Sequence, residues 1–160
     1  MEKTGRRPPF IWRLIRRFNQ RMVSSYHKRD RAGNLVLLLT TTGRKSGLPR
    51  VTPLQYEEDD SVIYIGSARG QDADWFRNIL AHPEVKIQIK EEQFEGLAEP
   101  ITDPGLIADF LEMRLQRHPI IIRLIMTAEG LPLVYDRARL EQFTANKAVV
   151  AIRPTPNKKE

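Results

Sequence analysis

The chain has 160 residues, of which 41% are hydrophobic and 29% are charged, and this composition predicts one globular domain. It contains no cysteine, which excludes a disulfide framework and a thiolate metal site. The net charge of +6 is concentrated in residues 1–31, which hold ten lysines or arginines and two acids. We find no signal-peptide pattern and no apolar run long enough to cross a bilayer, so we expect a cytoplasmic protein.

The basic segment at the start of the chain predicts an amphipathic helix over residues 8–29. Apolar side chains recur from Ile11 to Met22 at helical spacing, with arginines on either side of the stripe. This helix either packs on the core with its arginines in solvent or lies on an anionic membrane surface. Because the arm is so basic, we expect peripheral contact with the inner face of a membrane.

Three strand patterns follow the arm. A continuous apolar run over 34–42 predicts a buried strand, and alternating residues over 49–56 predict its antiparallel partner. Pro53 lacks an N–H to donate, which indicates an edge, a bulge or exposed backbone. The acidic stretch 57–60 predicts a solvated turn before a third strand over 61–67.

The second half of the chain alternates helices and strands without a βαβ pattern. A short helix over 72–81 is expected to have Asp72 or Asp74 as its N-cap. Antiparallel neighbours joined by short turns predict an α+β fold built on a small mixed or closed β-barrel of about six strands. The remaining predicted elements are strands over 84–90, 94–101 and 147–153, helices over 103–118 and 140–143, and a buried helical segment over 120–126.

These patterns predict three parts of the chain: a basic helical arm over 1–31, a barrel domain over 32–153 and a polar tail over 154–160. No G-x-G-x-x-G follows a predicted strand, which argues against a Rossmann dinucleotide site. The arm carries no readable recognition-helix motif, so we do not expect a nucleic-acid partner.

The turn between the first two strands, GRKSG followed by Arg50, places three cations around two glycines. It is either a solvated hairpin tip or an anion-binding site. The second alternative is possible because backbone N–H groups of turns and bidentate arginine guanidinium groups both bind phosphate. If the first three strands are antiparallel neighbours, Arg69 and Gly70 lie at the same end of the sheet as this turn.

Side chains that could carry chemistry by themselves are scarce. The three histidines, His27, His82 and His118, lack metal-ligand spacing, and no G-x-S-x-G elbow occurs. A bound cofactor is therefore expected to supply the chemistry. Residues 39–42, 51–54 and 65–67 offer apolar strand walls for its ring.

The chain resembles the deazaflavin-dependent nitroreductase family, whose members include F-420-dependent quinone reductases. The stretches LVLLLTTTGRKSGLPRVTPLQY, SVIYIGSARG and DWFRNILAHPEVKIQI carry the resemblance. It implies a split β-barrel related to FMN-binding oxidoreductases, with the reduced 8-hydroxy-5-deazaflavin coenzyme F-420 as cofactor. The tyrosine-rich substrate wall of the nitroimidazole-activating members is missing, because Tyr135 is the single tyrosine of the C-terminal half.

The resemblance also implies a cofactor-binding set. The phosphodiester and glutamate tail would lie on Arg44, Lys45 and Arg50, with backbone donors from Ser46 and Gly47. The segment Thr52, Pro53 and Leu54 would line the ring, the loop Ser67, Ala68, Arg69 and Gly70 would face its other side, and Trp75 and Asn78 would lie on a helix that closes over it.

The expected reaction is hydride transfer from the reduced deazaflavin to a quinone, an enone or a nitroaromatic acceptor. Solvent, Ser67 and Tyr135 are the candidates for the proton donor. FMN in place of the deazaflavin, and a binding protein without turnover, stay open as alternatives. The oligomeric state, monomer or homodimer, stays open as well.

Overall fold

The computed structural model describes residues 36–67 and 69–155. Within them, six antiparallel strands form a closed barrel in the order β1-β2-β3-β6-β5-β4, which confirms the predicted fold class. The strands are β1 (Val36–Thr42), β2 (Pro49–Asp59), β3 (Val62–Ser67), β4 (Glu84–Ile89), β5 (Glu92–Ile101) and β6 (Ala148–Pro154). The predicted helix over 8–29 and arm over 1–31, together with Ala68 and most of the polar tail, lie outside the described residues.

The barrel core is built from the alternate residues of each strand that point inward. Leu37 and Leu39 of β1 are fully buried and pack in one cluster with Ile65 of β3, Ile87 of β4 and Val150 of β6. Val36 and Leu38, on the opposite face of β1, are buried as well, which explains why the first predicted strand reads as a continuous apolar run.

A short helix, α1 (Asp74–Ala81), packs against β1 and β5 and adds Phe76 and Ile79 to the barrel core. A single 3₁₀ turn, Gly70–Asp72, precedes it. The predicted N-cap is wrong, because Ala73 occupies that position and no side chain caps the helix. Both predicted capping aspartates bind arginines instead.

Three further helices form a second, smaller core beside the barrel: α2 (Pro104–Arg117), α3 (Pro119–Ala128) and α4 (Arg137–Thr144). Asp103 caps α2 by accepting from the Leu106 N–H at 2.9 Å. The second core is formed by Ala108, Leu111, Ile122, Met126, Leu131 and Leu140.

The predicted acidic turn over 57–60 is wrong. Strand β2 continues through Asp59, and the turn is reduced to Asp60 and Ser61, which adopt positive φ angles of 52° and 66°. Glu57 is only 4% exposed, because Arg114 and Arg117 of α2 pack over it and pair with its carboxylate. The arginines come from a helix nearly sixty residues away, so the local sequence gives no sign of them.

Candidate functional site

Strand β2 changes its ladder partner along its length. It pairs with β1 from Val36–Gln55 to Thr42–Pro49, but its ladder with β3 extends only from Tyr56–Ile65 to Asp59–Val62. Beyond that point β3 continues to Ser67 and pairs with β6 instead. We call the resulting opening, between β2 residues 49–55 and Gly66–Ser67 of β3, the split seam.

A tight turn, residues 43–47, borders the split seam and is called the basic turn below. The N–H of Gly43 donates to the Leu48 carbonyl at 2.8 Å, and the N–H of Gly47 donates to the Gly43 carbonyl at 2.7 Å. The Ser46 hydroxyl oxygen accepts from the Leu48 N–H at 3.2 Å. Gly47 has a φ of +65°, a left-handed conformation that favours glycine.

Arg44 is committed to the fold rather than free in solvent. Its Nη2 lies 3.0 Å from Asp74 Oδ1, and its Nη1 donates to Asn78 Oδ1 at 3.0 Å. Asn78 is 4% exposed, accepts the Arg44 backbone N–H at 3.1 Å and donates to Thr41 Oγ1 at 3.2 Å. These contacts fasten the basic turn to α1.

The same contacts set the electrostatics of α1. The hydrogen bond from Arg44 is the main cause that lowers the pKa of Asp74, and the positive charges of Arg44, Arg69 and Arg77 add to it. Asp74 therefore stays ionised to lower pH than an isolated aspartate.

Three other cations lie around the same rim of the barrel. Within the described part of the chain, Lys45, Arg50 and Arg69 make no hydrogen bond or salt bridge through their side chains. The Arg50 Nε lies 3.5 Å from where a Cβ on Gly43 would be, so this side chain lies along the basic turn. The antiparallel order β1-β2-β3 puts Arg69 at the same end, as the sequence predicts.

The walls of the split seam combine partly buried and fixed groups. Thr52 and Leu54 are half-buried, Pro53 is exposed and the Ser67 side chain is buried. Gly70 has a φ of +59°, and a Cβ there would meet the Asn146 carbonyl oxygen at 2.0 Å. The loop after β3 is therefore held against the residues that precede β6.

Two predicted site residues belong to the cores. Trp75 is buried in the barrel core, where it meets Phe76 edge-on at 6.1 Å between ring centroids. Tyr135 packs against the helical core, whereas Ser67 belongs to the barrel. The two candidate proton donors thus lie on different parts of the fold.

The structure also brings residues to the seam that the sequence analysis missed. Phe110 and Arg114 of α2 lie over its outer mouth, against Gly66 of β3 and Gln55 of β2. Their spacing of four residues on one helix was readable, but the strand that this face covers was not.

A groove of about 400 Å³ runs over the outer face of β1, β2, β4 and β5, beginning at the Thr40–Val51 pair beside the basic turn. It is lined by Leu38, Thr40, Val51, Lys86, Ile87, Gln88, Gln93, Phe94 and Glu95.

In the described ranges, no three His, Cys, Asp or Glu residues are grouped to hold a metal. None of the helices described there is long and apolar enough to span a membrane.

Comparisons with known proteins agree with this geometry. A family model described as F420H(2)-dependent quinone reductase matches residues 12–121. An F420H(2)-dependent quinone reductase of Mycobacterium tuberculosis is 37% identical over 68 residues, which cover 41% of this chain and 46% of that protein. The chain thus spans about half the length of the curated relatives it matches.

Solved structures support the fold. An F420 reductase superposes with a TM-score of 0.50 and 23% identity over 76% of this chain and 87% of that chain. The heme storage protein HutZ of Vibrio cholerae superposes with a TM-score of 0.53 and 17% identity over 83% and 90%. At these identities the likeness concerns the fold alone, which is shared by proteins of different function.

Proposed function

The chain belongs to the F420H(2)-dependent quinone reductase family, and from this premise we propose that it reduces a quinone with hydride from coenzyme F-420. One structural observation carries the proposal. The β2–β3 ladder ends at Tyr56–Ile65, and the strand edge that it leaves unpaired begins at the basic turn. A flat ring with an anionic tail needs this combination of an open seam and an adjacent cationic rim.

The residues present fit such a cofactor. Lys45, Arg50 and Arg69 are proposed to bind the anionic tail, because charge-assisted hydrogen bonds need donors that no protein carboxylate already occupies. Arg44 is proposed to hold the basic turn in place through Asp74 and Asn78. The backbone N–H of Ser46 is proposed as a further donor to the tail, whereas Gly47 shapes the turn and its own N–H already donates to the Gly43 carbonyl.

The ring is proposed to lie in the split seam. Thr52, Pro53 and Leu54 are proposed as one wall for the ring, and Ser67 with Arg69 and Gly70 as the other. When bound, the reduced deazaflavin supplies a hydride from its C5. The protein's own task is to align the acceptor and to exclude water from the seam. It thus accelerates the reaction by positioning the reactants rather than by supplying a nucleophile.

The proton that completes the product is proposed to come from solvent or from Ser67. The Ser67 hydroxyl belongs to a wall of the seam, whereas Tyr135 packs on the helical core. Replacing Ser67 with alanine separates the two sources, because a solvent-fed reaction keeps its kcat.

The function is tested by mixing the purified protein anaerobically with reduced F-420 and a water-soluble quinone. We expect quinone-dependent recovery of the absorbance of the oxidised deazaflavin, and no recovery without protein. A parallel reaction with reduced FMN tests the alternative cofactor, since a cationic rim does not by itself select between two phosphate-bearing flavins. Turnover with FMN alone, or with neither cofactor, contradicts the proposal.

We also propose that the protein is cytoplasmic and contacts a membrane surface through residues 8–29, where a lipid-soluble quinone would reside. The exposed apolar side chains of α3, Ile120 at 78% and Leu124 at 65%, favour such contact. Co-sedimentation with anionic vesicles is expected to be lost on the charge reversal Arg16→Glu with Arg17→Glu.

Sedimentation velocity of the same proteins reports whether the chain is a monomer or a homodimer.

A further inference from the structure

The outer mouth of the split seam is lined by residues from three elements. Gln55 follows Pro53 by two positions on β2, so both side chains lie on the outer face of the barrel. Across the seam, Gly66 of β3 leaves room for the Phe110 ring, whose Cε1 lies 4.0 Å from where a Gly66 Cβ would be. Phe110 also packs on Tyr64 at 5.8 Å between ring centroids.

Arg114 lies at this mouth, one helical turn beyond Phe110. Its Nε donates to Glu57 Oε1 at 3.3 Å, its Nη2 reaches Gln55 Oε1 at 3.5 Å, and its guanidinium carbon lies 5.8 Å from the centre of the Phe110 ring. Within the described residues, Nη1 has no hydrogen-bond partner. The side chain is 18% exposed, so part of it remains open to solvent.

Glu57 explains why this arginine is held in place. It is a buried carboxylate that neither the seam nor the basic turn uses, and it also lies 3.6 Å from Arg117 and 3.2 Å from His118 Nε2. Arg117 is further anchored to Asp59 at 2.8 Å and to the Glu58 carbonyl at 2.9 Å, beside the tight turn at residues 60 and 61. Of the two arginines on Glu57, only Arg114 is directed toward the seam.

We propose that Arg114 binds the carbonyl oxygen of the quinone acceptor at the outer mouth of the split seam, with Glu57 as its positioning residue. The inference rests on the proposed function and names the acceptor side of that site. Hydride addition brings two electrons and one proton to the quinone, and a second proton, from solvent or from Ser67, completes the hydroquinone. Arg114 keeps its proton throughout and stabilises the negative charge that develops on the oxygen.

The first test measures binding without any cofactor. Two probes are titrated into the full chain by calorimetry: 2-hydroxy-1,4-naphthoquinone, which is an anion at neutral pH, and neutral 2-methyl-1,4-naphthoquinone. Arg114→Gln is expected to lower the affinity for the anionic probe about tenfold, because a hydrogen bond to a charged group contributes about that much. The affinity for the neutral probe is expected to change less than about twofold. Arg114→Lys keeps the charge and is expected to retain part of the affinity.

Arg117→Gln is the matched control, because it also removes a guanidinium from Glu57 but not one at the seam. Its affinity for both probes is expected to equal that of the wild type, while its urea midpoint falls as much as that of Arg114→Gln. The inference is overturned if both variants lose the same affinity for the anionic probe, or if neither variant loses any. It is also overturned if the wild type binds neither probe.

The loaded protein separates this inference from the proposed function. With reduced F-420 and a quinone, Arg114→Gln is expected to lower kcat about tenfold with a smaller change in KM. If the wild type turns over and the Arg114→Gln variant has an unchanged kcat, the inference is overturned and the proposed function is still supported. If Arg114→Gln selectively weakens binding of the anionic probe but the wild type shows no turnover, the proposed function is overturned and the acceptor site is still supported.

Discussion

The two halves of strand β2 use arginine in opposite ways. In the second half, Arg114 and Arg117 of α2 pair with Glu57 and Asp59, so each positive charge has a carboxylate within 3.6 Å. Around the first half, Lys45, Arg50 and Arg69 have no such partner among the described residues. A cation paired with a carboxylate holds elements together and keeps few N–H groups for a ligand, whereas a cation without such a partner can offer all of them.

Backbone pairing follows the same division. On the side of β2 that faces β3, residues 56–59 are paired with β3, whereas residues 49–55 are unpaired there and pair with β1 on the other side. On that side we call residues 56–59 the closed half and residues 49–55 the open half, and the open half offers a strand edge to a ring. The predictions below test whether charges in the two halves differ in the same way, in stability on one side and in ligand binding on the other.

The largest effect on stability is expected from Glu57→Ala. It leaves the guanidinium of Arg114 without its partly buried counter-charge, and the free energy of unfolding should fall by about 3 kcal/mol. Urea denaturation monitored by circular dichroism measures it. Glu58→Ala, at an exposed neighbour, is the control and should change the value by less than about 0.5 kcal/mol. A Glu57 variant as stable as this control would show that the closed half is not held by its charges.

A smaller effect is expected from Gly70→Ala, which combines a left-handed backbone with a steric conflict against Asn146. We predict a loss of about 2–3 kcal/mol, measured by thermal unfolding. Gly47→Ala shares the positive φ but has nothing within 4 Å of its new Cβ, and should cost about 1 kcal/mol. Equal losses at the two glycines would mean that contact with residue 146 does not fix the loop after β3.

Arg44 and Arg50 both lie at the basic turn and should nevertheless behave differently. Arg44→Ala removes the hydrogen bonds to Asn78 and Asp74, so the free energy of unfolding should fall by about 1 kcal/mol. Arg50→Ala removes no such contact and should leave it within about 0.5 kcal/mol of wild type. The same urea titration compares them, and a larger loss for Arg50 than for Arg44 would reverse the assignment.

The smallest effect concerns pH. Because Arg44 lowers the pKa of Asp74 below its ordinary 3.8, this contact contributes its full stability above pH 3.8 and loses it as pH falls through the lowered pKa. Wild type should therefore lose more of its Tm on acidification below pH 3.8 than Asp74→Asn does. The difference should vanish in an Arg44→Ala background, and its persistence there would assign the pH effect to another group.

Much of the fold was readable because its signals are local. Apolar alternation marked the strands, and Pro53 correctly indicated a stretch of β2 whose edge toward β3 is unpaired. The acidic stretch misled the analysis because the residues that bury Glu57 come from α2, and no local pattern shows which strand a helix covers. The N-cap of α1 was missed for a related reason, since Asp74 is drawn to Arg44 across the barrel rim.

The candidate site was readable as a collection of residues but not as an arrangement. The turn and the end of β3 share a rim, which follows from antiparallel order alone. The division of labour between Arg44 and Arg50 does not follow, because it depends on the packing of Asn78 under the turn. Arg114 was invisible as a site residue, because its place at the seam depends on the register of α2 over β2.

One titration tests the central claim that unpaired cations on the rim bind an anionic tail. F-420 and a shortened deazaflavin without the phosphodiester and glutamate tail are titrated by fluorescence into the wild type and into Lys45→Ala with Arg50→Ala. We predict that the double variant binds F-420 at least about tenfold more weakly and the shortened ring with unchanged affinity. Equal affinity of both proteins for F-420 would contradict the claim and return the basic turn to the role of a solvated hairpin tip.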